Sequence, residues 1–173
     1  MRVIAGTRRS MPLKAPVGMD TRPTQDRTKE TLFNVLQNEI PGAEFLDLFA
    51  GSGAISIEAL SRGASYATLV ENNKNAVSCI KDNLKFTKFS DEATLMETDV
   101  MAALYKLGGH KEFDIVFMDP PYNLEIEAQV LKTMNNMASV TEYTTVIIEA
   151  SLKRDLSFVE ECGFRIVKVK QYK

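Results

Sequence analysis

The chain is 173 residues long, 45% hydrophobic and 25% charged, the balance of one soluble globular domain with a single core rather than of a disordered chain. No apolar run approaches the roughly 20 residues that a membrane-spanning helix needs, and the basic start MRVIAGTRRSMPLK lacks the apolar h-region of a signal peptide. Cys79 and Cys162 stand apart, without CxxC spacing or a nearby histidine, which points away from a structural metal site and toward a reducing cytoplasm.

The net charge of −2 conceals an asymmetry: residues 1–29 carry Arg2, Arg8, Arg9, Lys14, Arg22, Arg27 and Lys29 against Asp20 and Asp26, a local balance of +5 that leaves −7 for the rest. A basic arm on an acidic body suits a polyanion gripped at one end; the plainer reading is a solvated, mobile terminus. Residues 1–26 hold two short apolar pieces, Val3-Ile4-Ala5 and Met11-Pro12-Leu13, separated by Thr7-Arg8-Arg9-Ser10 and followed by Pro16, Gly18 and Pro23. This pattern predicts a small hairpin and a loop. The chain thus divides into a basic extension, 1–26, and a main domain, 27–173.

A helix is expected to begin near Asp26 or Arg27, because Thr31, Leu32, Val35, Leu36 and Ile40 recur at helical spacing, and to stop at Pro41-Gly42. From there the chain alternates. Apolar runs at 44–49, 66–70, 93–96, 113–118, 144–149 and 164–169 read as strands, with helical stretches at 54–61, 74–86, 100–107, 124–137 and 154–162. Such alternation predicts an α/β fold, a mostly parallel sheet with helices on both faces. Ligands in such sheets bind beyond the carboxyl ends of the strands, where strand order reverses. The residues at those ends are the ones to inspect for chemistry.

The first strand runs into Asp47-Leu48-Phe49-Ala50-Gly51-Ser52-Gly53 and then a helix. Gly51 and Gly53 allow a tight turn and close approach of a ligand to the backbone. The dinucleotide fingerprint needs a third glycine, and Ser56 stands in its place. Asp47 would repel a pyrophosphate on this turn and suits a cationic ligand better, such as the amino group of a methionyl moiety. The second strand ends in Glu71, able to accept from both hydroxyls of a ribose, or simply placed to favour a helix start. The third leads to Asp99, either an acceptor for an adenine amino group or a helix cap. The fourth ends in Asp119-Pro120-Pro121-Tyr122. The two prolines fix φ and remove two donors; the Asp119 carboxylate and the Pro120 carbonyl would converge on one amino group, with Tyr122 offering a ring face to a base. His110, the only histidine, reads as a surface residue.

Together DLFAGSG, Glu71, Asp99 and DPPY resemble the Rossmann-like class I methyltransferases, and DPPY is the form of the amine-modifying members. MRVIAG, Arg22-Pro23-Thr24 and Asp26-Arg27, continuing into KETLFNVL, resemble the RsmD family of 16S ribosomal RNA guanine-N2 methyltransferases. The resemblance implies S-adenosylmethionine across the strand ends, leaving as S-adenosylhomocysteine, with no metal. Asp47, Phe49, Gly51 and Gly53 would hold the methionyl end, Glu71 and Asn72 the ribose, and Asp99 and Val100 the adenine. Asp119, Pro120 and Tyr122 would receive the target amine. Arg2, Arg8, Arg9, Lys14, Arg22, Arg27 and Lys29 would contact phosphates of 16S ribosomal RNA, naked or in the small subunit, with the protein acting as a monomer in the cytoplasm. Two departures stand out. The family places glycine after a basic residue in the hairpin, where Ser10 follows Arg9, and the chain stops at Gln171-Tyr172-Lys173, where a closing antiparallel strand is expected to begin.

Rival readings remain. A DNA adenine or cytosine amine methyltransferase shares the chemistry but ordinarily needs an added recognition region. A non-catalytic RNA-binding or assembly factor would have no use for an intact DPPY. A dinucleotide dehydrogenase is disfavoured by Asp47 and the missing glycine.

Overall fold

The structure is a computed structural model that describes residues 1–18, 23–122 and 125–172, the side chains of Pro23 and Thr24 excepted. Five strands, β1 (Glu44–Asp47), β2 (Tyr66–Val70), β3 (Ala93–Met96), β4 (Ile115–Met118) and β5 (Thr145–Ile148), form one parallel sheet in the order β3-β2-β1-β4-β5. The two central strands, β1 and β4, are buried along their whole length. Both of their faces are covered, so apolar side chains follow one another without alternation, Phe45-Leu46 in β1 and Ile115–Met118 throughout β4.

Period-two geometry sends successive side chains into two separate cores. Phe45, Ile115 and Phe117 join the core beneath α1 (Pro23–Val35), α2 (Ala54–Ser61) and α3 (Lys74–Thr87), where Phe33, Ile57 and Ile80 are fully buried. Leu46, Val116 and Met118 face the other, beneath α4 (Val100–Leu107), α5 (Glu127–Asn135) and α6 (Phe158–Glu161), where Leu104, Val130 and Leu131 are fully buried. Strand order reverses between β1 and β4, the crevice in which open α/β sheets take ligands. This is the Rossmann-like α/β fold expected from the strand-helix alternation. No helix among the described residues is long and apolar enough to cross a membrane.

Several boundaries differ from the sequence expectation. α1 starts at Pro23, whose fixed φ suits a first helical position, and ends at Val35, well before Pro41. The stretch expected at 124–137 is helical over Glu127–Asn135, residue 124 lying outside the described residues, and the one at 154–162 shrinks to Phe158–Glu161. The strand expected at 164–169 does not form. The Phe164 N–H closes the end of α6 on the Val159 carbonyl at 3.2 Å, and Val167 and Val169 are 84% and 56% exposed. The segment has strand propensity, but among the described residues no neighbouring strand supplies it with a ladder.

Residues 1–13 fold back on themselves. The Val3 N–H donates to the Met11 carbonyl at 3.0 Å, the Ser10 N–H to Val3 at 2.8 Å and the Leu13 N–H to Met1 at 2.9 Å, around an antiparallel bridge between Arg2 and Pro12. Val3 and Leu13 are buried in the first core, so this segment is packed against the sheet domain rather than solvated around it. Gly6 explains part of the MRVIAG motif: its φ is +84°, and a Cβ there would lie 1.9 Å from the Ser61 carbonyl oxygen. Ser10, in the place of the family's glycine, takes the left-handed φ of 69° that a glycine would adopt freely.

Candidate active site

The carboxyl edge of the sheet is built from the residues that follow each strand. After β1, Gly51 and Gly53 take left-handed φ values of 57° and 80°, and the Gly53 carbonyl opens α2 by accepting from Ile57 at 2.9 Å. Hydrogen bonds from Leu48 to Phe117 and from Ala50 to Val70, each 3.0 Å, tie this turn to β4 and β2. Phe49 is half-buried beside it.

Asp47 ends β1 and is 1% exposed. One carboxylate oxygen accepts from the Ser56 hydroxyl at 2.9 Å, while Oδ1 is buried without a hydrogen-bond partner. Burial raises its carboxyl to about 7; the Ser56 hydroxyl and the Phe49 amide oppose the rise, and the charge of Glu71 adds to it. Ser56, which breaks the dinucleotide fingerprint, is therefore the donor that holds Asp47.

Glu71, beyond β2, is more heavily engaged than the sequence could show. Its Oε2 accepts from the Gly51 N–H at 2.8 Å, and its Oε1 accepts from the N–H groups of Asn72 and Asn73 at 3.0 Å each. A carboxylate offers about four lone-pair sites, so Glu71 already latches the glycine turn and keeps little capacity beyond that. Asp99 caps α4, its Oδ1 accepting from Ala102 at 3.0 Å, and its second oxygen remains open to solvent. Asn72 is exposed and Val100 is buried beneath the cap.

The β4 register brings Asp119 next to this group. Asp47 pairs with Phe117, and two residues later comes Asp119, on the far side of the switch point from the glycine turn. More than a third of Asp119 is open to solvent, yet crowding by protein heads the causes that lift its carboxyl to about 7, followed by the charges of Glu149 and Asp47. This places a solvent-open carboxylate at the mouth of the switch-point crevice. Pro120 is buried, and Tyr122 is 59% exposed, its ring available for stacking; its hydroxyl is also raised, first by burial and then by Glu149 and Asp119.

Glu149 is the residue that sequence reasoning passed over. Its N–H donates to the Met118 carbonyl at 2.9 Å, which extends the β4–β5 ladder by one residue and sets Glu149 beside Asp119. The signal was present: the run at 144–149 ends in an acid, as the other strands do.

The basic residues of the N-terminal segment separate into two groups. Arg2, Arg9 and Arg27 face solvent. Arg8 is half-buried, donating to the Thr87 carbonyl at 2.7 Å and lying 4.5 Å from the centre of the Phe89 ring, and Lys14 pairs with Asp82 at 3.0 Å. Lys29 is 5% exposed: its ammonium donates to the Arg2 carbonyl at 2.6 Å and sits 3.4 Å from Glu58. Desolvation lowers its pKa and Glu58 opposes the shift. Glu58, fully buried on α2, also accepts from the Ile4 and Ala5 N–H groups and from Arg62. Lys29 is thus a fastener between α1, α2 and the hairpin, closed to a phosphate, which corrects its sequence assignment. Arg22 lies outside the described residues. His110 is half-buried and stacks on Phe113 at 4.5 Å, away from the strand ends.

Two cavities lie elsewhere, about 640 Å³ between Pro12–Lys14 and Asp82–Phe86, and about 280 Å³ beside Glu39, Asp114 and Tyr143. Neither is lined by the strand-end acids. Among the described residues no group of three metal-binding side chains is placed to hold an ion.

The strand order, the glycine turn after β1 and the Asp-Pro-Pro-Tyr segment at the switch point define the class as Rossmann-like methyltransferase. Comparison with known proteins agrees. Along residues 1–173 the sequence matches the family described as Conserved hypothetical protein 95. It is 38% identical over 135 residues to ribosomal RNA small subunit methyltransferase D of Haemophilus influenzae, covering 78% of this chain and 70% of that one. The Escherichia coli K12 protein of the same name is 33% identical over 159 residues, covering 92% and 79%. The solved structure of Escherichia coli yhhF superposes with a TM-score of 0.79 at 33% identity, covering 90% of this chain and 84% of that one. The chain belongs to this family, and the RsmD resemblance read from its motifs stands.

Proposed function

We propose that the chain transfers a methyl group from S-adenosylmethionine to the N2 amine of a guanine in small-subunit (16S) ribosomal RNA. The observation that carries this reading is the Asp119–Tyr122 segment at the switch point, with an acceptor at the mouth of the crevice and an exposed aromatic ring beside it. Relatives named ribosomal RNA small subunit methyltransferase D support RNA as the substrate.

The donor set fits the cofactor. Acceptors at the ends of adjacent strands match a ligand rich in donors: an ammonium, two ribose hydroxyls and an adenine amine. The buried Oδ1 of Asp47, without a donor, is the group that an ammonium would satisfy. It is closed to solvent as the chain stands, so the turn at 49–53 must shift for direct contact. Glu71 would accept from the ribose with the capacity its backbone donors leave, and Asp99 from the adenine amine with the oxygen that does not cap α4.

When bound, S-adenosylmethionine supplies a methyl already activated on sulfonium. The protein's share is placement, which supplies on the order of 7–11 kcal/mol in well-oriented reactions. Guanine N2 is a weak nucleophile because its lone pair is delocalised into the ring. Asp119 and the Pro120 carbonyl would accept from its N–H groups and orient it, and Asp119, poised near 7, would take the proton the amine sheds. Tyr122 would stack on the extruded base, compensating for its removal from the RNA. Arg2, Arg9 and Arg27, which face solvent, and Lys14, exposed in its surface pair with Asp82, are the phosphate contacts this geometry leaves open.

Mapping methylated nucleosides in 16S RNA by mass spectrometry, from cells with and without the protein, tests the reading. One N2-methylguanosine should vanish on deletion and return with the wild-type chain but not with Asp119→Ala; an unchanged map refutes it. Naked RNA and isolated subunits, assayed in parallel, identify the form of the substrate.

A further inference from the structure

Asp119 does not stand alone at the mouth of the crevice. Met118 and Ile148 pair in the β4–β5 register, and the Glu149 N–H reaches the Met118 carbonyl at 2.9 Å, so the next residue of each strand lies beside the other. Glu149 is half-buried, and among the described residues no hydrogen bond or ion pair reaches its carboxylate. The same holds for Asp119. The buried, partnerless Oδ1 of Asp47 lies one strand further in, close enough for its charge to be felt at Asp119. Two acceptors without donors, Asp119 and Glu149, thus sit side by side at the strand ends, with the buried Oδ1 of Asp47 behind them across the switch point and an exposed aromatic ring nearby.

Resting on the reading above, we infer that Glu149 is a specificity-determining residue, accepting a hydrogen bond from the ring N1–H of the target guanine while Asp119 and Pro120 hold the adjacent amine. The argument is one of donor pattern. Guanine presents two kinds of donor side by side on its Watson–Crick edge, the ring N1–H and the C2 amine. Adenine and cytosine instead set an acceptor nitrogen beside their amine. A single carboxylate at the target amine would serve all three bases, whereas a second carboxylate in the next strand favours guanine and meets a lone pair on the others. Two neighbouring carboxylates with nothing between them repel, and an edge carrying two adjacent N–H groups relieves that repulsion. Burial holds the Glu149 carboxyl above its ordinary range, and in its ionised form it offers acceptors only.

The test uses the full chain and small-subunit RNA carrying either guanine or 2-aminopurine at the mapped methylation position. The analogue keeps the C2 amine but has a ring N1 that accepts instead of donating. Single-turnover transfer of labelled methyl is measured for the wild type, Glu149→Gln and Glu149→Asp. The wild type should prefer guanine by roughly a hundredfold, the scale of one charge-assisted hydrogen bond replaced by lone-pair repulsion. Glu149→Gln, whose amide can also donate, should narrow that preference at least tenfold, with 2-aminopurine accepted better and guanine more slowly. Glu149→Asp should slow guanine without improving the analogue, and neither variant should alter cofactor affinity. A guanine preference unchanged in both variants overturns the inference. Should Glu149→Gln fail to fold, Glu149→Asp decides alone: slower transfer to guanine at normal cofactor affinity supports the contact, and a wild-type rate removes it. A wild type that methylates no guanine brings down the functional reading itself, an outcome distinct from an unmoved preference.

Discussion

Replacing Asp47 by Asn should make the folded chain more stable and the cofactor site worse. The folded carboxyl titrates near 7 because burial outweighs the Ser56 hydroxyl, while an unfolded aspartate titrates near 3.8. Folding therefore takes up a proton between those values, and stability falls as pH rises through that window. At pH 8 the buried charge costs roughly 4 kcal/mol, and at pH 5 about 2 kcal/mol, because most molecules then carry the proton. Asn keeps the shape and can still accept from Ser56, but it buries amide donors in place of the partnerless oxygen, a penalty of about 1–3 kcal/mol. The net gain at pH 8 is about 2 kcal/mol, or roughly 4–8 °C in Tm for a chain of this size. Thermal unfolding of both proteins from pH 5 to pH 8 reads it directly, and calorimetry with S-adenosylmethionine reads the expected loss of affinity. Equal melting at pH 8, or a difference that does not shrink toward pH 5, would refute the account of Asp47 as a buried, uncompensated acid. A gain in stability without loss of affinity would detach Asp47 from the cofactor while leaving the burial argument intact.

Glu71→Ala should weaken S-adenosylmethionine binding by an order of magnitude or more in calorimetry, through both the ribose contact and release of the Gly51 N–H. Lys29→Met should cost roughly 3 kcal/mol in denaturant unfolding, since it removes one partner of a buried ion pair; a surface lysine would cost nothing measurable. Replacing Arg2, Arg9 and Arg27 together by Ala should flatten the salt dependence of RNA affinity and leave cofactor affinity alone; an unchanged slope would detach these residues from the RNA. Asp119 can take the amine's proton only when ionised, so single-turnover methyl transfer should rise with pH through about 7. Above pH 7 Asp119→Ala should lower transfer about a hundredfold with cofactor affinity almost intact, and the gap should narrow as pH falls through 7.

What the sequence disclosed depended on local pattern. Asp47, Glu71, Asp99 and Asp119 were legible because each follows an apolar run whose end marks a strand end, and parallel strands carry their chemistry there. Glu149 obeys the same rule, but beside the Pro-Pro-Tyr of the fourth strand its lone acid attracted no notice; only the β4–β5 register makes it a neighbour of Asp119. Lys29 failed for a different reason. Counting charge treats every lysine as solvated, whereas Glu58 sits in the small and apolar run AISIEALS, and an acid buried there must draw cations and N–H groups to itself. The run at 164–169 had the apolar, β-branched composition of a strand, but a strand is made by its partner, and no local pattern reports whether one is present.

The charge layout constrains how a polyanion can meet this site. Asp47, Glu71, Asp99, Asp119 and Glu149 follow five parallel strands, so every strand delivers an acid to the same edge. Phosphates brought to that edge would meet like charge, whereas Arg2, Arg9 and Arg27 face solvent on the N-terminal segment and α1, as do Arg165, Lys168 and Lys170 near the other end of the chain. At about 0.1 M salt both fields fade within roughly 10 Å. A nucleic acid can then satisfy both by keeping its backbone on exposed basic side chains and sending a single neutral base across to the acids. Extrusion of the base relieves the repulsion that a stacked strand would suffer there. The same layout disfavours an anionic mononucleotide as the methyl acceptor, since its phosphate would travel into the cleft with the base.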